Sequence, residues 1–211
     1  MISEIPRKRD FFFKAMTTKQ YILFHKPFGV VSQFTPIAGY RSLREYGPFP
    51  LDVYPVGRLD ADSEGLLLLT NDNYVKHRLI TPAFEHPRTY WAQVEGIPAE
   101  DSLEKLRNGV IIEGVKTKPV EAKILDPLPN VPPRSKPIRY RKNIPTTWIE
   151  LVLHEGKNRQ VRKMTAAVGH PTLRLIRVAI AFLQLNNLQP GEHRHLTEQE
   201  IQELFNLLNS K

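Results

Sequence analysis

Gly57-Arg58-Leu59-Asp60-Ala61-Asp62-Ser63-Glu64-Gly65-Leu66-Leu67-Leu68-Leu69-Thr70-Asn71-Asp72 changes character at its middle. Three acids, Asp60, Asp62 and Glu64, fall within five residues and lead into four leucines. A short apolar run of that length, bounded by turn-forming residues, reads as a buried strand. The acids therefore stand at the mouth of whatever that strand builds. Asn71 and Asp72 can then cap a short helix through Leu79, which has to end before Pro82. On spacing alone, a polar loop with its acids in water is the plainest reading. Paired carboxylates also suit glycosidase-like acid–base chemistry. Metal binding by Asp60, Asp62 and Glu64 is a third reading, although neither ligand spacing nor glycines match a calcium loop.

Working outward, Tyr21-Ile22-Leu23-Phe24 is another apolar run, ended by the turn Lys26-Pro27-Phe28-Gly29. Further strands are expected over Arg88–Val94, Val120–Leu125, Thr147–Leu153, Thr172–Ile180 and Phe182–Leu185. Helices are expected over Asp101–Arg107, with Gly109 just beyond, and over Asn158–Val168, with Gly169 as the C′ residue. A last helix opens with the capping-box pair Thr197 and Glu200, and its Ile201, Leu204, Phe205 and Leu208 form one apolar stripe. Strands outnumber helices and do not alternate with them, so the class is α+β with a mainly antiparallel sheet. Residues 1–18 carry Arg7, Lys8, Arg9 and Lys14 and read as a mobile basic tail, with Phe11, Phe12 and Phe13 as candidates to dock on the body.

The chain of 211 residues can form one large core or two small subdomains packed together. No stretch approaches the roughly 18 apolar residues of a membrane span, and the Phe triplet is too short for a secretory signal. Cys is absent, which removes disulfides, thiol catalysis and thiolate zinc sites and fits a reducing cytoplasm. Thirty Lys and Arg against 22 Asp and Glu give a net charge of +8. That balance favours a polyanionic partner, because each neutralised phosphate releases counterions. By itself it does not separate RNA from DNA or anionic lipid.

Two further segments, and one loop, carry chemistry. His154-Glu155-Gly156-Lys157-Asn158-Arg159-Gln160-Val161-Arg162-Lys163-Met164 runs from a strand through a Gly turn into a helix that opens with four cations. Positive charge is the wrong sign for a helix N-terminus and calls for an anion. Lys157, Arg159 and Lys163 are placed to meet phosphates. An inward-facing Arg162 needs a carboxylate, and such pairing favours the ionised acid that nucleophilic or base catalysis requires. In Arg88-Thr89-Tyr90-Trp91-Ala92-Gln93-Val94, Arg88, Tyr90 and Ala92 share one strand face. Tyr90 is either a half-buried strand aromatic or a flat platform, with a hydroxyl, for an extruded base. Residues 127–145 hold six prolines together with Arg134, Lys136, Arg139, Arg141 and Lys142. A loop of that length is functional or a solvated linker, and its five cations suit phosphate.

In this order, about 30 and about 70 residues apart, the three segments resemble the RsuA family of pseudouridine synthases. The hallmarks are a Gly-Arg-Leu-Asp loop before a Leu-rich strand, a strand with a basic residue two before a Tyr, and a Gly-basic-x-x-Gln-Val-Arg helix start. The likeness runs over residues 21–190 and includes Lys26-Pro27 and Leu173-Arg174-Leu175-Ile176-Arg177. Glu95-Gly96-Ile97-Pro98, Arg107-Asn108-Gly109-Val110 and the stretch from Pro171 to Arg177 are most similar to a subtype acting on large-subunit ribosomal RNA. The resemblance implies a pseudouridine synthase fold: a mixed, mainly antiparallel sheet flanked by helices and loops, with a central active-site cleft. It implies that residues 19–211 form the catalytic domain as two packed subdomains, without a separate N-terminal RNA-binding domain.

The resemblance also implies an activity: isomerisation of a uridine of 23S ribosomal RNA, in the peptidyl-transferase region, by a cytoplasmic monomer that uses no metal or other cofactor. By position in the motifs, Asp60 matches the essential aspartate and Tyr90 the tyrosine that stacks on the target base. Arg162 matches the basic residue paired with that aspartate, and Leu175 the apolar residue beneath the uracil. Arg58 matches the residue that fills the gap left by the flipped nucleotide. Arg88 stands where Lys is usual and Ala181 where Gly is usual. Asn73 replaces a Gly that closes a turn, and Asn tolerates the left-handed conformation. Two rivals stand beside this reading. The basic charge fits a non-catalytic RNA-binding protein, and paired carboxylates fit a nucleoside hydrolase, which would release free uracil.

Overall fold

A computed structural model describes residues 18–139 and 141–210, so the basic tail ahead of Thr18 lies outside the described residues. Nine strands form one sheet: β1 Tyr21–Lys26, β2 Tyr54–Pro55, β3 Glu64–Thr70, β4 Arg88–Glu95, β5 Glu121–Ile124, β6 Thr146–Leu153, β7 Thr172–Ile180, β8 Leu183–Gln184 and β9 His193–His195. Among the described residues four α-helices accompany them: α1 Asn73–Ile80, α2 Glu100–Arg107, α3 Gln160–Ala167 and α4 Glu198–Asn209. The strand order is β9-β1-β3-β7-β4-β6-β5, with β8 added to β7 and β2 to β3. Pairing is antiparallel throughout except between β3 and β7, which run parallel where Ile176 faces Glu64 and Arg177 faces Gly65. The expected α+β class with a mixed, mainly antiparallel sheet is the fold observed.

The leucine run explains why β3 lies inside the sheet. All seven of its residues are buried. Leu66 and Leu68 pack with Val75, Leu79, Leu204 and Leu208 of α1 and α4 on one face. Leu67 and Leu69 pack with Val30, Leu43, Val53 and Leu59 on the other. A strand covered on both faces reads as continuously apolar. At its start Gly65 is required: at φ +109, a Cβ there would lie 2.2 Å from the Arg177 carbonyl oxygen.

The half of the sheet built from β7, β4, β6 and β5 carries α2 and α3 on one face. Ala92, Val94, Leu103, Leu106, Ile149, Leu151, Val161, Met164 and Leu175 form its core. Tyr90 borders this core and also the loop-covered core beside β3, so it stands at the seam between them.

Several local expectations shift. Helix α3 begins at Gln160 instead of Asn158, with Arg159 left-handed before it (φ 52). Asn73 does not close a left-handed turn. It is the first residue of α1, because the Asp72 carboxylate accepts from the Tyr74 and Val75 amides and caps the helix there. Ala181, standing where Gly is usual, does take the left-handed conformation (φ 51). Strand β9, His-Arg-His, carries no apolar alternation and escaped the sequence reading. The Thr197–Glu200 capping box is present at the start of α4. Among the described residues no helix is long and apolar enough to cross a membrane.

Candidate active site

The Gly57–Ser63 loop leaves the sheet after β2 and re-enters it at β3. A cleft of about 610 Å³ opens between this loop, Tyr90, Leu175, the turn from Leu153 to Val161, and Val31-Ser32. Leu59 is buried and roots the loop in the core, while the Ser63 amide donates to the Asp60 carbonyl at 3.0 Å and closes a turn. The Asp60 side chain is left 41% exposed, open to a substrate. Arg58 is exposed and also lines the cleft. Leu175 is buried at the base of the cleft, and Tyr90, half-buried, faces it from the adjoining strand.

The arginines fall differently from the reading of the sequence. The expected Asp60–Arg162 ion pair is not formed. Arg162 donates through Nη2 to the Asp62 carbonyl at 2.7 Å and to Ser63 Oγ at 3.3 Å, and its Nε lies 3.6 Å from Asp62 Oδ2. Its Nη1 reaches the Thr172 carbonyl at 3.3 Å. Arg159 instead forks onto the Asp62 carboxylate at 3.1 and 2.9 Å, and its Nη1 comes within 3.4 Å of Asp60 Oδ2. Arg159 stands ahead of α3 in a left-handed conformation (φ 52), outside the helix, whereas Arg162 lies within it. Burial pushes the Asp62 carboxyl up, but the Arg159 hydrogen bond and the charges of Arg162 and Arg159 outweigh it and hold it below the usual carboxylate range.

The other cations divide. Lys157 lines the cleft and pairs with Glu155 at 3.5 Å. Lys163 turns away to Glu113 at 2.7 Å. Arg134 stacks over the Phe28 ring, 4.3 Å from its centroid, and Arg141 meets Glu95 at 3.3 Å. Arg139, Arg141 and Lys142 line a second hollow of about 430 Å³ with Leu173. Two arrangements were not anticipated. Gln160, buried at the cleft, accepts from the Lys157 amide at 2.9 Å and donates to Glu155 Oε1 at 2.6 Å. Arg174 forks onto Glu64 with two bonds of 2.8 Å and gives a third, also 2.8 Å, to the Pro132 carbonyl, tying the proline-rich loop down. The available signal was charge inside strands of buried character, since buried ions of opposite sign have to pair.

The profile of the family described as RNA pseudouridylate synthase matches residues 20–167. Ribosomal large subunit pseudouridine synthase E of Xanthomonas axonopodis pv. citri is 52% identical over 171 residues, 80% of this chain and 90% of that protein. The enzyme of the same name from Vibrio parahaemolyticus is 45% identical over 181 residues, 86% of this chain and 75% of that one. A crystal structure of a pseudouridylate synthase superposes with a TM-score of 0.73 at 29% identity, covering 88% of this chain and 74% of its own. The chain thus belongs to the RNA pseudouridylate synthase family, isomerases that act on RNA.

Proposed function

We propose that this enzyme converts a uridine of large-subunit ribosomal RNA, in the peptidyl-transferase region of the 23S molecule, to pseudouridine, with Asp60 as its essential carboxylate. The observation that carries the reading is the convergence of Asp60, Tyr90 and Leu175, from three separate elements, on one cleft. Its volume of about 610 Å³ falls in the range of small-ligand pockets, roughly 300–1,000 Å³. The ribosomal target is supported by the names of the relatives and by the net charge of +8.

The reaction breaks the bond between uracil N1 and the sugar C1′, rotates the base, joins C5 to C1′, and moves the C5 proton to solvent while N1 gains one. The carboxylate either attacks C1′ covalently or removes a sugar proton to eliminate the base, and both routes place Asp60 at the ribose. Tyr90 supplies a flat face and Leu175 an apolar floor for the detached uracil, limiting its loss to water. Arg58, exposed at the rim, is placed to occupy the stack vacated by the flipped nucleotide. Arg159 and Lys157 at the cleft, with Arg134, Arg139 and Arg141 along the proline-rich loop, are the phosphate contacts; Lys163 serves at the periphery. The chain is further read as a cytoplasmic monomer, consistent with its lack of Cys and checked by fractionation and sedimentation.

Asp60→Asn tests the central role. It is expected to abolish pseudouridine formation in 23S rRNA, mapped by carbodiimide modification and primer extension, while RNA affinity changes by less than about tenfold. Turnover retained by that variant refutes the assignment, and an unaltered modification map in cells lacking the gene refutes the target.

A further inference from the structure

Ser32 and Leu59 are 27 residues apart, yet one hydroxyl serves both polar groups of the Leu59 backbone. Ser32 Oγ accepts from the Leu59 amide at 3.0 Å and donates to the Leu59 carbonyl at 2.7 Å. Ser32 itself is buried, 3% exposed. On the far side of Asp60, the Gly29 amide donates to the Ala61 carbonyl at 2.7 Å. One segment, residues 27–32, a turn running into a two-residue strand, therefore grips the chain before and after Asp60. Lys26 pins the turn from within, its ammonium donating to the Pro27 carbonyl at 3.1 Å and the Val30 carbonyl at 2.7 Å. Residues 57–63 lie between β2 and β3 and belong to neither, so these bonds do for the Asp60 loop what ladder bonds do for a strand.

We infer that Ser32 is a positioning residue for isomerisation: by holding both sides of the Leu59 backbone it sets the direction from which the Asp60 carboxylate meets the ribose. The inference rests on the reading of Asp60 as the catalytic carboxylate. Attack or proton removal needs reacting atoms about 3–3.5 Å apart, and a misplacement of about 1 Å can cost on the order of 10²-fold in rate. Without the hydroxyl, the Leu59 N–H and C=O lose their shared partner in a buried site, and the loop has to move to satisfy them.

The test compares wild type, Ser32→Ala, Ser32→Cys and Asp60→Asn on in vitro transcribed 23S rRNA, at a temperature where thermal melts show the variants folded. Single-turnover pseudouridine formation and RNA Kd are measured separately. Ser32→Ala is expected to slow the single-turnover step on the order of 10²-fold while Kd changes less than about threefold. Ser32→Cys, close in size but a weaker donor and acceptor, is expected to fall in between. A serine needed for folding alone would lower the melting temperature and leave the rate of the folded enzyme at the wild-type value. A folded Ser32→Ala variant within about twofold of wild type therefore overturns the inference, as does a loss confined to Kd. If Ser32→Ala does not fold, Ser32→Cys decides by the same criteria. Asp60→Asn separates the two readings. If it keeps turnover, the catalytic assignment falls and takes the inference with it. If it is inactive while the Ser32 variants run at the wild-type rate, only the inference falls.

Discussion

Replacing Arg174 by Ala removes the counter-charge of Glu64 at the parallel seam between β3 and β7, four residues beyond Asp60. The two side chains are 8% and 2% exposed, and they share two hydrogen bonds of 2.8 Å. The variant strips a buried carboxylate of the two hydrogen bonds it receives from Arg174 and also frees the Pro132 carbonyl from its bond to Arg174. Breaking a buried pair on one side costs about 3–5 kcal/mol. For a chain of this size each kcal/mol lowers the melting temperature by about 2–4 °C, so Arg174→Ala should melt about 6–20 °C below wild type. Thermal unfolding followed by far-UV circular dichroism measures the shift. The double variant Glu64→Leu with Arg174→Met should recover most of it, since apolar replacement of both partners removes the stranded charge. If Arg174→Ala melts within about 2 °C of wild type, or if the double variant is no better than the single one, uncompensated charge is not what the pair prevents.

Burial drives the Lys26 ammonium down from its ordinary value of 10.5 to about 7, against the pull of Glu64, Asp62 and Asp60. Between those values the unfolded chain holds more protons than the folded one, so stability should rise with pH there by up to about 1.4 kcal/mol per unit. Urea unfolding of wild type and Lys26→Met across that window should diverge, and parallel profiles would contradict the argument. Replacing Arg134, Lys136, Arg139, Arg141 and Lys142 by Gln should flatten the salt dependence of RNA binding and spare turnover at saturating RNA. The slope should fall by up to about 0.7 for each single-strand phosphate that is no longer neutralised. An unchanged slope would make the loop a linker. Tyr90→Phe should still rearrange 5-fluorouridine at the target position, because the fluorine blocks only the final deprotonation. Tyr90→Leu, which loses stacking of about 1–3 kcal/mol, should do so poorly, and wild-type behaviour of the Leu variant on normal RNA would return Tyr90 to a packing role.

Features of this protein that depend on neighbouring residues alone were legible in its sequence. The four leucines announced an interior strand because a strand covered on both faces has no polar side to alternate with. Asp72 and the Thr197–Glu200 pair announced helix starts because a cap acts across two or three residues. The loop acids, Tyr90 and the Gln-Val-Arg segment marked three places where chemistry gathers. Tertiary structure alone decided how those places meet. Ser32 reaches Leu59 across 27 residues, Arg159 reaches Asp62 across 97, and Arg174 reaches Glu64 across 110. Whether Arg159 belongs to α3 or precedes it in a left-handed conformation decides where its side chain points, and neighbouring residues alone do not fix that boundary. Side-chain direction changes by about 100° per residue of helix. A boundary uncertain by two residues therefore leaves a candidate ion pair undetermined until the loop and the helix are folded together.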